Sequence, residues 1–386
     1  MTALVSLTGS YTLTPGAALS ITGQRPVIAQ GLLTRLLQGK TADQVVPMLG
    51  QLFALCAHAQ RHTARLALDA ASSQEASVSS RAASEQLALQ TALDHLRSIS
   101  LDWAHSPVLQ GLPPALNWPT TLPLSLAQGT PELAPAQVSA ALGQLRHWLE
   151  TQVLQQPIAP WLAEHDWPQA LVVWCRAHSV YLLPARFLAA CYDQASSLTA
   201  QVQPLTLLDP EPQKQSQQLR HIAQALSNQT GFAQLPTWQG QHFETGAWTR
   251  LRHHHAQPEP TSAWTRLASR WTEVLELSGA HLLPESSAPL LASGALPLGA
   301  GQALAWSEMA RGLLLHWVQL DPQGRVVAYQ VLAPTEWNFH PQGSLAQALR
   351  QLAPDDGASA TLLAQAFDAC VACQIRPTQP VELSDA

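Results

Sequence analysis

Ala366-Phe367-Asp368-Ala369-Cys370-Val371-Ala372-Cys373 forms the last helix-like stretch of the chain and spaces two thiols as Cys-x-x-Cys. A third thiol, Cys56, lies far upstream in Leu55-Cys56-Ala57-His58-Ala59-Gln60. Thiolates suit iron, nickel and zinc, whereas carboxylates suit harder ions. Contributing thiols from both ends of a chain is therefore a way to close a fold around one soft metal. Three such thiols are one short of a four-thiolate site.

The chain of 386 residues and 41.6 kDa is long enough for one large domain or two ordinary ones, and it reads as a single domain over 1–386. It is 46% hydrophobic but only 12% charged, against about a quarter in ordinary domains. Its surface must rely on neutral polar residues or be partly covered by a partner. A net charge of −6 without any Lys/Arg run argues against nucleic acid as a partner. The start, Met1 to Ser10, has no basic segment followed by an apolar block, so no signal peptide is expected. No uninterrupted apolar run of about 18 residues is present, so no membrane span is expected. Five cysteines in such a chain read as reduced cytoplasmic thiols.

Residues 3–28 alternate loosely around Gly9, Pro15, Gly23 and Pro26, which predicts short N-terminal strands. From Ala29 to Ala71 apolar residues recur at helical spacing, broken at Gly39-Lys40-Thr41, where Gly39 reads as the residue just past a helix end. Another helix is expected from Ser80 to Leu101. Residues 106–135 hold Pro107, Pro113, Pro114, Pro119, Pro123, Pro131 and Pro135 and read as a covering loop. Helices follow over 136–155, 214–228 and 262–278, the last capped by Thr261 or Ser262 and stopped by Gly279. Leu313 to Leu320 and Arg325 to Leu332 are β-rich runs joined by Asp321-Pro322-Gln323-Gly324, a hairpin with its turn chemistry in place. Helices near 344–353 and from Ser359 to Cys373 finish the fold, ahead of a polar tail, 374–386. The reading is a mainly helical α+β protein with one small β-hairpin element and ends that meet.

Glu308-Met309-Ala310-Arg311-Gly312 leads into the hairpin, and Ala333-Pro334-Thr335-Glu336-Trp337-Asn338 leaves it. Glu-x-x-Arg-Gly, His316-Trp317, Pro-Thr-x-Trp-Asn and the closing Asp-x-Cys-x-x-Cys, in order over 308–373, resemble the C-terminal third of the large subunit of nickel–iron hydrogenases. Gln30-Gly31 and Leu36-Leu37-Gln38-Gly39-Lys40 resemble that family's Arg-Gly-x-Glu segment and the Lys-Gly-Arg after it. Residues 72–300 match little and read as a shortened middle, apart from Glu244-Thr245-Gly246-Ala247-Trp248-Thr249-Arg250. The resemblance implies the helical core of the large subunit.

In that family the second cysteine of each Cys-x-x-Cys bridges nickel to an iron bearing two cyanides and one carbon monoxide, and the first binds nickel alone. Carried onto this chain, the bridging positions fall on Cys56 and Cys373 and the nickel-only positions on Phe53 and Cys370. A phenyl ring cannot ligate a metal, so a four-thiolate nickel site cannot form. No Glu precedes Glu75, so the family's N-terminal glutamates have no counterpart; the family histidine after the first motif falls on Gln60, and Arg376 replaces the terminal magnesium-binding histidine. The tail 377–386 is then expected to stay uncleaved. The iron half survives. The resemblance sets Arg311 and Thr335 against the cyanides, with Pro334 beside them, and a permanent cation and a hydroxyl donor suit that task. It sets Leu55, Ala310, Leu314 and Ala333 around the carbon monoxide.

Loss of nickel features with retention of iron features resembles the HupK/HoxV type of hydrogenase maturation protein. That implies a non-catalytic cytoplasmic scaffold. It would bind the Fe(CN)2(CO) unit through Cys56 and Cys373, with Cys370 at hand, and need neither nickel nor magnesium. Its partners would be the hydrogenase large-subunit precursor, the small maturation chaperone and the iron-insertion complex. The alternatives are a hydrogenase-type enzyme with an altered metal centre and a metal-free chaperone or decoy. Alone, Cys-x-x-Cys could be a zinc half-site or a redox pair. Cys175 and Cys191 lie in apolar surroundings and read as core, while His253-His254-His255 reads as an exposed loop. His58 and His62 have metal-capable spacing but read as a solvated helix face beside Arg61 and Arg65. Trp337 is expected beside the site.

Overall fold

A computed structural model describes residues 9–377 except 27, 29–30, 117, 120–121, 128–132, 166–168, 202 and 252–260. Gln30, the triple-histidine run and residues 378–386 of the tail lie outside the described residues. Helices begin and end where local chemistry directs. Leu32–Leu37 is followed by Gly39 at φ 75°, whose N–H donates to the Val326 carbonyl at 2.8 Å. Helix Ala42–Leu52 stops at Phe53, and a short 3-10 turn, Ala54–Cys56, leads into the long helix Ala57–Ser73. Helix Arg81–Ser98 is capped by Ser80, whose hydroxyl accepts from the Ala83 N–H. It runs on in wider turns through Ile99–Trp103, as Pro135–Trp148 does through Leu149–Leu154. Pro212–Asn228 and the Ser262-capped Ala263–Ser278 stand where their periodicity places them.

The last helix departs from its sequence reading. It spans Gly357–Phe367 and does not reach Cys373. Asp368 takes a left-handed conformation (φ 47°, ψ 65°), and its carboxylate lies 3.4 Å from both Arg270 and Arg311. A helix cannot continue through that backbone. Cys370 therefore sits in a bend, and Cys373, Gln374 and Ile375 belong to a strand rather than to a helix and a tail.

The strands are β1 (Ser10–Leu13), β2 (Ile21–Gln24), β3 (Ser77–Val78), β4 (Thr199–Ala200), β5 (Thr261–Ser262), β6 (Ser293–Gly299), β7 (Gln302–Met309), β8 (Gly312–Leu320), β9 (Val326–Leu332) and β10 (Ala372–Ile375). β4 and β5 form a small pair. The expected hairpin, β8–β9, turns on Asp321, whose Oδ1 accepts from the N–H groups of Gln323 and Arg325 at 2.9 and 2.8 Å. It is not isolated: it extends a five-stranded sheet in the order β3-β6-β7-β8-β9. Helices Ala57–Ser73 and Pro212–Asn228 both pack on β6, β7 and β8. β8 is buried at every position except Gln319, so the polar–apolar alternation that marks a strand is missing from its sequence. The second sheet, β10-β1-β2, joins the chain's ends through a parallel β1–β10 pairing that sets Tyr11 opposite Cys373.

Helix Ala263–Ser278 runs through the core and is buried on nearly all sides, charged residues included. Each of those charges has a partner, as burial requires. Arg266 holds Glu244 by two bonds of 2.7 and 2.8 Å, and Glu273 holds Arg250 at 2.6 and 2.8 Å and His95 at 2.7 Å. Arg270 donates to the Ser98 hydroxyl at 2.6 Å. Cys175 and Cys191 are buried, as their surroundings suggest.

Candidate metal centre

Cys56 sits between two helices, at the end of the 3-10 turn, and its N–H donates to the Phe53 carbonyl at 3.0 Å. Both side chains are buried. Cys370 is half-buried in the bend after Asp368, with its sulfur 3.2 Å from the Thr335 hydroxyl. Cys373 is half-buried on β10. Burial pushes the Cys56 thiol up to about 12; nearby Cys370 adds to the rise, and Arg311 and Arg25 oppose it. Burial, then Cys370 and Asp368, push Cys373 to about 12 as well. In the chain alone these two groups are thiols, and a bound metal would have to displace their protons. Cys370 thus acts electrostatically on both other thiols. Among the described residues, no three His, Cys, Asp or Glu side chains are gathered tightly enough to hold a bare metal ion.

Arg311 occupies the turn between β7 and β8. Its Nε donates to the Asp368 carbonyl at 3.1 Å, while Nη1 is buried with no hydrogen-bond partner among the described residues. Burial would lower its pKa, but Asp368, Asp94, Cys370 and Cys56 outweigh that and hold it above the ordinary value. The turn is clamped from outside. Thr245 accepts from the Leu313 N–H at 2.9 Å, and Asn338 Nδ2 donates to the Thr245 and Arg311 carbonyls at 2.8 and 3.3 Å. Gly312, at φ 127°, leaves no room for a Cβ, which would fall 2.5 Å from Thr245 Cγ2. The string Glu244–Arg250 therefore acts as a brace, which its distance from the thiols in sequence does not reveal.

Pro334 and Thr335 open the short helix Pro334–Asn338, and both are buried, as is Trp337. Leu314, Ala310 and Ala333 are buried too. Leu55 differs from these three: it is 46% exposed.

Sequence reasoning missed two groups. Arg25, just past β2, is buried, donates from Nη1 to both Glu336 oxygens at 3.1 and 3.2 Å, and lies over the Phe53 ring at 5.5 Å. Nothing in its local sequence points to Glu336. The second is a buried chain of hydrogen bonds behind Cys56. Gln60 Nε2 reaches the Cys56 sulfur at 3.8 Å, and its Oε1 lies 3.0 Å from His316 Nε2. His316 Nδ1 lies 2.8 Å from the Tyr329 hydroxyl. Burial pushes His316 down to about 3, so the ring is neutral. An amide oxygen only accepts, so Nε2 carries the proton and Tyr329 donates to Nδ1. His62 is also no solvated residue. Its Nε2 meets the hydroxyls of Ser79 and Ser293 at 3.0 and 3.3 Å, tying helix to sheet.

A family profile described as nickel-dependent hydrogenase matches residues 290–376. Hydrogenase expression/formation protein HoxV of Cupriavidus necator is 38% identical over 384 residues, 96% of each chain. Hydrogenase expression/formation protein HupK of Bradyrhizobium diazoefficiens is 31% identical over 349 residues, 88% of each chain. The chain belongs to the HoxV/HupK family. Among solved structures, a reduced, active Ni-Fe-Se hydrogenase from Desulfomicrobium baculatum covers 91% of this chain and 93% of its own at a TM-score of 0.50 and 12% identity. The HoxV/HupK chain thus has the fold of the hydrogenase large subunit. The matched segment carries Arg311, Thr335, Cys370 and Cys373; Phe53 and Cys56 lie outside it.

Proposed function

We propose that this HoxV/HupK-family protein is a non-catalytic maturation scaffold whose cargo is a low-spin iron carrying two cyanides and one carbon monoxide. The observation that carries the reading is the unpartnered Nη1 of Arg311, a buried donor beside the thiols. Leaving such a donor unsatisfied costs about 1–3 kcal/mol. A cyanide nitrogen is an acceptor that would satisfy it. The Thr335 hydroxyl, now on the Cys370 sulfur, is a second donor within the same neighbourhood.

An iron that already holds three diatomic ligands asks the protein for only two thiolates. Cys56 and Cys373 fill that role, one from each end of the fold, and binding releases their protons. Cys370 is left to assist exchange during loading or transfer. Phe53 removes a ligand that a nickel centre would need, so hydrogen turnover is not expected. The large-subunit fold lets the scaffold present the same entrance as the hydrogenase large-subunit precursor, which would receive the unit. The small maturation chaperone and the iron-insertion complex would meet both proteins there. Relatives named as hydrogenase expression/formation proteins support this role. Free thiols at the site call for a reducing compartment, the cytoplasm.

The test is infrared spectroscopy with iron analysis on protein purified without oxygen, together with three Ser variants. The wild type should show cyanide and carbonyl stretching bands. Cys56→Ser and Cys373→Ser should lose them, and Cys370→Ser should keep them while supporting maturation less well. A wild-type protein that sustains maturation without any of these bands overturns the cargo. A Cys56→Ser protein with normal bands overturns the two-ended grip.

A further inference from the structure

Helix Ala57–Ser73 turns a polar stripe, His58, Arg61, His62, Arg65 and Asp69, into the wall of a cavity of about 370 Å³. The three- and four-residue spacing keeps these side chains on one helix face. The facing wall holds Ser79, Ser80 and the first turn of helix Arg81–Ser98, through Ala82 and Ala83. The N–H groups that open a helix have no carbonyl of their own helix to reach, and the helix dipole adds partial positive charge there. Ser80 accepts one of them, from Ala83 at 3.3 Å, and its own hydroxyl proton stays available. Leu66, Val78 and Leu133 give the cavity an apolar side.

Two wall groups lack partners among the described residues. Arg61 is half-buried, and its Nε is buried with no hydrogen-bond partner. Burial and then Arg65 push its pKa down, and no acid is among the groups that act on it. Its Nη1 is seated on Gly50 of helix Ala42–Leu52, where an added Cβ would fall 2.6 Å away. Gln86 is only 4% exposed. Its Oε1 accepts from the Leu133 N–H at 3.3 Å, while Nε2 has no partner. His62 is already engaged by Ser79 and Ser293, and burial keeps it neutral. Asp69 is the one carboxylate of this wall, against the two guanidiniums of Arg61 and Arg65.

We propose that this cavity binds a small organic phosphate, a site separate from the thiols and independent of the iron cargo. Its phosphoryl oxygens would take bonds from the Arg61 guanidinium, the Ser80 hydroxyl and the opening N–H groups of helix Arg81–Ser98. A helix N-terminus beside a guanidinium is suited to such a group, whose terminal oxygens accept from several sides at once. Gln86 Nε2 is a further donor in the wall. The carbon skeleton lies on Leu66, Val78 and Leu133. The volume is that of an ordinary small-molecule pocket, larger than a bare oxyanion fills.

The probes are phenyl phosphate and inorganic phosphate, titrated calorimetrically into the full chain. Phenyl phosphate should bind with a Kd below about 1 mM, and inorganic phosphate should bind more weakly because it leaves the apolar side bare. Arg61→Met keeps an unbranched stem over Gly50 and removes the charge. It should weaken phenyl phosphate binding at least about tenfold, the worth of a hydrogen bond to a charged group. Its urea stability should equal or exceed that of the wild type, since a half-buried charge without a counter-ion is lost. A merely structural arginine would lower that stability instead. Asp69→Asn removes the opposing carboxylate and should tighten binding. No binding of phenyl phosphate by the wild type at about 1 mM, or equal affinity in Arg61→Met, overturns the site. Inorganic phosphate bound as tightly as phenyl phosphate overturns the organic ligand. None of these results bears on the infrared bands that test the cargo.

Discussion

Gln60 stands between a sulfur and an imidazole, and burial keeps that imidazole neutral. Protonation would leave the Nε2 bond to Gln60 in place and oblige the Tyr329 hydroxyl to accept from Nδ1 where it now donates. The burial that enforces neutrality has a consequence for stability. The folded value is pushed down to about 3, below the unfolded value of about 6.5. As pH falls below that upper value the unfolded chain takes a proton and the folded chain does not, so stability falls with it. His62, pushed to about 4 by burial and then by Arg65, acts in the same direction. His316→Phe should flatten the wild-type fall in urea stability between pH 6.5 and 5 by about 2 kcal/mol. An unchanged slope in the variant would mean that His316 is not held neutral. Part of this chain was legible: His316-Trp317 and Gln60 fell at recognisable positions. Their mutual contact was not, because residues far apart in sequence meet only once helix Ala57–Ser73 lies on β8.

At the scale of elements, the end of the last helix decides where two of the thiols point. Apolar periodicity carries through Cys373, and nothing local forbids a helix there. What stops it is tertiary, since Asp368 answers to Arg270 on one helix and Arg311 on a strand turn. The β8–β9 turn was readable because Asp321 and Gly324 act locally. β6 and β7 were not, because buried strands such as Ala303-Leu304-Ala305 lack alternation. Burial alone would raise the Asp368 pKa, but Arg270, Arg311, His95 and the Ser98 bond outweigh it and hold the carboxyl below the usual carboxylate range. Its stabilisation is therefore complete above the unfolded value of about 3.9 and is lost as pH falls below it. Asp368→Asn should cost about 3–5 kcal/mol at neutral pH, as expected when one member of a buried ionic cluster is removed. In loaded protein the same change should shift the cyanide bands, because Arg311 loses its anchor. A neutral-pH stability within 0.5 kcal/mol of wild type, the range of ordinary surface substitutions, would show that Asp368 does not hold the bend.

Across the whole molecule, the thiols implied that the two ends meet, and they meet as a parallel strand pair. The pairing itself was hidden because β10 is only four residues long and partly exposed along its length. β1 lies between β2 and β10, and the Arg376 N–H adds a bond to the Leu13 carbonyl at 2.9 Å. Cooperative units of this kind open together in native-state hydrogen exchange. Amides of β1 and β10 should exchange as one unit in the metal-free protein. Cargo held by both Cys56 and Cys373 should slow exchange in β10 and in the turn Ala54–Cys56 alike, since a ligand bound only to the folded form stabilises what it bridges. Slowing at one end only would place both anchoring thiols there. The parallel pairing also has a consequence for synthesis. Cys56 emerges from the ribosome long before Cys373, and the helix that follows it can settle while translation continues. The strand bearing Cys373 comes much later, and β1 must wait for it to pair. A chain terminated between the two would expose one thiol and an open sheet edge, and only a chain that carries both segments can close its grip.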